Sequence, residues 1–182
     1  MKETLQEFIQ YAKNPVLQKD ENLSINNVLK YFTHLLFFCI AAGLLSTPLF
    51  VLFEDLGWIS MENHKVEALF EGMSLFKIIL IGGFIGPMIE ELMFRAPMTL
   101  FKSPSSFRIA FYVLTILFGL IHITNFDLTL TVLLLSPFLV IPQLFTGFAL
   151  GFLRVRFGLV WAILLHCTYN SFLLIISSIF DL

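Results

Sequence analysis

The sequence predicts an all-α fold: a polytopic integral membrane helix bundle of about five transmembrane helices, preceded by an N-terminal amphipathic helix. Three observations predict it. Of the 182 residues, 58% are hydrophobic and only 13% charged, whereas a soluble domain averages about 45–50% and about 25%. Five apolar segments follow one another along the chain, each near the ~20 residues that a bilayer requires. Lys and Arg gather at alternate ends of these segments, as the positive-inside rule demands.

Residues 1–30 form the first element, a cytosolic or interfacial arm. Leu5, Phe8, Ile9 and Ala12 recur at helical spacing, which predicts an amphipathic helix lying on the surface or on the core. No basic-then-apolar leader precedes it, so no cleavable signal peptide is expected. The transmembrane domain covers residues 31–182, with spans at about 31–53, 75–100, 108–125, 128–153 and 157–180. Pro137 and Pro142 should bend the fourth. The loop between the first two spans is acidic, with Glu54, Asp55, Glu62, Glu67 and Glu71.

Lys2, Lys13, Lys19 and Lys30 precede the first span, Lys102 and Arg108 flank the second turn, and Arg154 and Arg156 lie between the last two spans. The other side carries only Lys65 and Lys77; the turn at 125–127 and the terminal Asp181 add no positive charge. The N-terminus is therefore expected in the cytosol and the C-terminus on the opposite side. A net charge of −2 without a basic stripe points away from nucleic acid and leaves membrane lipid as the surrounding partner. Cys39 and Cys167 lie in apolar segments without ligand spacing and read as packing residues.

Polar residues inside the spans carry the functional reading. Glu90, Glu91 and Arg95 interrupt a segment that is otherwise lipid-soluble. A charge at mid-membrane costs roughly 2.5–3.5 kcal/mol, while a large apolar residue returns about 0.3–0.6. Such charges must pair, face protein or face water. Glu91 and Arg95 are i,i+4 neighbours suited to an ion pair; Glu90 lies about 100° around the helix and remains available as a base. Gly82, Gly83, Gly86 and Pro87 stand just before them, so a kink or widened turn is expected there. Phe118 and His122 share a face late in the third span, and Gly119 admits a close neighbour. His166 and Asn170 share a stripe of the fifth. Each cluster alone also fits a structural ion pair, a satisfied histidine or a polar helix seam. Depth brings them together: Glu90 and His166 lie roughly 15–20 Å from the basic end, and His122 roughly 20–25 Å. A common wet pocket, open to the cytosolic side, follows as the expectation.

The ordered set E-E-x-x-x-R, F-x-x-x-H and H-x-x-x-N resembles the CAAX-protease and bacteriocin-processing family (CPBP, or Abi) of intramembrane proteases. That family includes the CAAX prenyl endopeptidases and the lysostaphin resistance protein A-like proteins. The resemblance covers a core at about residues 75–171. It implies Glu90 as the base activating water with help from His122, His166 and Asn170 as oxyanion donors, and Glu91 with Arg95 holding the cluster. It also implies Glu90, His122 and His166 as ligands if a metal is bound; zinc suits three ligands plus water, and a metal-free glutamate mechanism fits the same residues equally. The expected function is hydrolysis of a peptide bond in a membrane-associated, hydrophobic or lipidated polypeptide. Two alternatives remain from the residues: a non-enzymatic membrane adaptor or immunity protein on the same scaffold, and a small ion or proton transporter with a Glu/His relay. Oligomeric state is not legible.

Overall fold

The computed structural model describes residues 1–60 and 65–180; Glu62 of the acidic loop and Asp181 lie outside the described residues, as does the side chain of Glu67. The described chain is helical almost throughout. In order it forms α1 (Lys2–Lys13), α2 (Ile25–Asp55), α3 (Lys65–Phe70), α4 (Leu75–Ile78), a π-helical segment (Ile79–Ile85), α5 (Gly86–Phe94), a 3-10 turn (Pro97–Leu100), α6 (Pro104–Ile121), a second 3-10 turn (His122–Asn125), α7 (Leu130–Leu139), α8 (Ile141–Arg156) and α9 (Leu159–Phe180).

The five separate spans expected from the sequence are not all single rods. Three helices are long and apolar enough to cross a membrane, at 25–55, 104–125 and 159–179, and α7 with α8 makes a fourth candidate bent by 44°. The bend falls at Val140, between Pro137 within α7 and Pro142 in the first turn of α8. There the missing amide hydrogens and fixed φ of proline interrupt the ladder. The remaining predicted span, 75–100, is divided among α4, the π segment, α5 and a 3-10 turn. Its widened turn lies just before Pro87, where the glycines and proline weaken ordinary α-helical bonding.

α8 runs through the middle of the bundle, packing on α2, α6 and α9. Its small residues explain how. A methyl group added at Gly151 would come within 2.8 Å of Phe111, and one at Gly147 within 3.0 Å of Phe118, so neighbouring helices approach at these points. The outer surface is apolar, with Leu45, Phe76, Leu130 and Leu134 all largely exposed, as a lipid-facing surface requires.

The N-terminal arm is built into this bundle at its basic end. Phe8 and Tyr11 of α1 are buried and meet Phe152 edge-on at 6.1 and 5.1 Å; such aromatic pairs contribute about 0.5–1.5 kcal/mol each beyond area burial. Ile9, expected on the apolar stripe, is exposed, and Thr4 and Tyr11 take the buried face instead. Burial pushes the Tyr11 hydroxyl well above the ordinary phenol range, and it donates to Val16 O at 3.1 Å. Arg156 at the end of α8 pairs with Glu7 at 2.6 Å and Asp20 at 3.2 Å. Tyr112 of α6 donates to the carbonyls of Ala12 and Lys13 at 3.0 and 2.9 Å.

Candidate active site

α5 presents its two adjacent carboxylates to different surroundings. Glu91 and Arg95 are both fully buried, with Oε1 3.5 Å from the guanidinium Nη1. Arg95 lies on the face of Phe118, 3.8 Å from the ring centre, and its Nη2 donates to Gly147 O on α8 at 3.3 Å. From the far side, Arg154 Nε donates to the Arg95 carbonyl at 3.0 Å and Arg154 Nη2 to Thr99 Oγ1 at 2.7 Å. A buried charge pair is kept by mutual neutralisation and by the contacts around it. These contacts tie α5, α6 and α8 to one point, although Glu91 Oε2 and Arg95 Nε and Nη1 have no hydrogen-bond partner among the described residues.

His166 of α9 bridges this buried pair to Glu90. Its Nδ1 lies 3.0 Å from Glu91 Oε1 and its Nε2 lies 3.8 Å from Glu90 Oε2. An ionised carboxylate only accepts, so Nδ1 carries a hydrogen and Nε2 is the atom turned towards Glu90. Glu90 itself keeps 29% of its side chain exposed.

His122 follows α6 at the point where the helix tightens into a 3-10 turn. Its Nδ1 is 2.8 Å from Phe118 O; a carbonyl cannot donate, so Nδ1–H donates and Nε2 is left with its lone pair. Phe118 lies edge-on between the two imidazoles, 5.1 Å from His122 and 5.5 Å from His166. Asn170, one turn beyond His166, donates one amide hydrogen to Gly82 O of the π segment at 3.3 Å, and its second hydrogen has no such partner among the described residues.

Glu90, His122, His166 and Asn170 all line one cavity of about 430 Å³, within the usual range for a small-ligand site. Glu91 and Arg95 do not line it; they stand behind its wall. The sequence reading therefore groups six residues that the fold separates into four at the cavity and two supporting them. The cavity also admits residues outside the three motifs. Gln143 and Thr146 of α8 face it with buried oxygens lacking hydrogen-bond partners, and Tyr169 completes the wall. The only advance signal for Gln143 was an amide in an apolar span beside a proline. The expected opening at the basic end is not where the cavity runs. Its remaining walls come from Leu69, Phe70, Ile81, Thr124, Asn125, Leu173 and Leu174, all at the end of the bundle away from Lys102, Arg154 and Arg156.

Glu90, His122 and His166 are the residues that would hold a metal if one is bound. Among the described residues, no group of three or more His, Cys, Asp or Glu side chains is gathered closely enough to hold an ion. The bonds of His166 Nδ1 to Glu91 and of His122 Nδ1 to Phe118 O leave both Nε2 atoms free, the pattern that metal-bound imidazoles share. Cys39 and Cys167 are free, buried packing residues.

Fold and site together define an integral membrane protein of helices enclosing a polar cavity. Over residues 72–172 the chain matches the family described as type II CAAX prenyl endopeptidase Rce1-like. The match spans more than half the chain and all three motifs, and the chain belongs to this Rce1-like family. Membership supports a peptidase. Comparison with curated proteins and with solved structures gives no match.

Proposed function

We propose that the protein is an intramembrane endopeptidase that hydrolyses a peptide bond in a membrane-associated, hydrophobic or lipidated polypeptide. The observation that carries this reading is a partly exposed carboxylate, Glu90, sharing a 430 Å³ cavity with two imidazoles and a carboxamide. A water held between Glu90 and His122 Nε2 passes a proton to Glu90, and its oxygen attacks the scissile carbonyl carbon. The resulting oxyanion is met by Asn170 N–H and by His166, whose second proton on Nε2 is balanced by Glu91 at 3.0 Å from Nδ1. Glu90 then hands its proton to the amide nitrogen, and the carbon–nitrogen bond breaks. A base that first accepts and then returns a proton serves both halves of the reaction. Donors fixed in advance within a largely apolar bundle act strongly on the developing charge. Glu91, Arg95 and Phe118 are positioning residues in this scheme, acting through His166 and α5.

The apolar walls formed by Ile81, Leu173 and Leu174 suit a hydrophobic segment beside the scissile bond. Prenylated peptides are the substrates that the family's description names. The orientation that accords with the basic residues places the N-terminus in the cytosol. Cleavage of a panel of membrane peptides, some lipidated, by the reconstituted wild type and by Glu90→Gln tests the proposal. Cleavage by the wild type and none by Glu90→Gln is the expected result; equal cleavage by both overturns it. Metal content and chelator sensitivity of the same preparation distinguish a bound ion from carboxylate-activated water.

A further inference from the structure

α8 brings to the cavity one side chain that the hydrolytic scheme leaves without a task. Gln143 lines the wall together with Glu90, His122 and Asn170, and its Oε1 is buried with no hydrogen-bond partner among the described residues. We propose that Gln143 is a substrate-binding residue whose carboxamide pairs with the backbone of one residue flanking the scissile bond. This role rests on the peptidase reading above and adds how the chain to be cut is held in register.

The local fold fixes where this amide stands. Pro142 sits in the first turn of α8, directly after the 44° bend from α7, so Gln143 projects from the first turn beyond the break. Its neighbour Leu144 packs on Gly119 of α6 so closely that a methyl group added there would come within 2.6 Å of it. Gly119 stands between Phe118 and His122 in the chain. That contact therefore sets the start of α8 against the turn that carries His122. Thr146 lies three residues on and lines the same cavity, which makes this stripe of α8 a polar wall.

A buried carbonyl oxygen left unpaired is costly, and no donor among the described residues reaches this one. The remaining source of a donor is whatever fills the cavity. A carboxamide carries one acceptor oxygen and two amide hydrogens. An extended chain offers the N–H and the C=O of one residue on the same edge, as paired strands do. Gln143 can therefore accept from that N–H through Oε1 and donate from Nε2 to that C=O, holding the backbone without reading a side chain. Asn170 is already tied to Gly82 O through one hydrogen, and its other hydrogen meets the oxyanion in the scheme above. The two amides thus act at different points: Asn170 at the reacting carbonyl, Gln143 at the stretch beside it.

Backbone ester substrates test this role. In a membrane peptide that the wild type cleaves, each amide N–H within two residues of the scissile bond is replaced singly by an ester oxygen, the scissile amide itself being kept. The full-length wild type and Gln143→Leu are compared, with Gln143→Met as a second variant should the first fail to fold. On the all-amide peptide Gln143→Leu should raise KM about tenfold, the upper end of one hydrogen bond, with kcat within about twofold. At one position the ester should lower the wild-type kcat/KM by a similar factor and leave Gln143→Leu unaffected, because leucine makes no bond to that N–H. The melting temperature in detergent should not fall, since leucine strands no polar partner. Equal ester effects in both enzymes at every position overturn the assignment; a lowered melting temperature beside them marks a glutamine that only supports the fold. A fall in kcat with KM unchanged overturns it too. A wild type that cleaves no peptide, or Glu90→Gln cleaving as well as the wild type, overturns the peptidase reading and this role with it. Cleavage that needs Glu90 but shows equal ester effects removes the Gln143 role alone.

Discussion

Glu90 faces a cavity with part of its carboxylate exposed, whereas Glu91, one residue on and about 100° around the helix, is sealed between Arg95 and His166. The two sides of α5 solve the same problem, a carboxylate within lipid, in opposite ways. On the sealed side the charge is neutralised by a guanidinium and an imidazole, and its contribution is to lock helices together. On the cavity side the charge is left to water. The sealed pair thus holds the fold, and the open carboxylate, 3.8 Å from His166 and with no closer charged partner among the described residues, can take part in proton transfer.

Substitutions at these positions sharpen or break that contrast. Glu90→Gln should reduce cleavage by about 10²–10⁴-fold, the usual worth of a general base, with thermal unfolding in detergent unchanged. A large fall in melting temperature would erase the distinction between the two sides. Glu91→Ala should do the reverse, losing about 3–5 kcal/mol of stability because it strands a buried Arg95; unfolding with denaturant measures it. Arg95→Lys should not restore the wild-type state, since an ammonium supplies neither the planar stack on Phe118 nor the fork towards Glu91 and Gly147. Asn170→Ala should slow turnover by about 10²–10³-fold if its free amide hydrogen meets the oxyanion, with KM little changed. Smallest is Gly119→Ala, where the new methyl would come within 2.6 Å of Leu144. That overpacking should destabilise by about 1–3 kcal/mol without selectively lowering kcat.

Much of this contrast could be read from the sequence. The i,i+4 spacing of Glu91 and Arg95 set their pairing, and the angular offset of Glu90 set it apart. The glycines before Pro87 foretold a widened turn, and the π segment lies there. His122, which looked too deep by helical rise, lines the same cavity as His166. Two things were hidden. Gln143 and Thr146 belong to no spaced motif, and only the 44° bend between α7 and α8 and the packing of α8 bring them to the cavity wall. The cavity's direction was also hidden, because helical rise gives depth but not which gaps side chains fill. The aromatic cluster between α1 and the bundle is assembled from Phe8, Phe111 and Phe152, far apart in the chain.

The π segment makes the region before Glu90 sensitive to chain length in a way that ordinary helices are not. Its i→i+5 bonding lets Gly82 meet Asn170 and Gly83 abut Ser171 while the carboxylates keep their own headings about two turns later. Removing a single residue from 79–85 would restore regular pitch and swing everything upstream by roughly 100°. The glycine seat for α9 and the aim of Glu90 would then become mutually exclusive, so a shortened chain loses what an apolar replacement of the exposed Leu80 keeps.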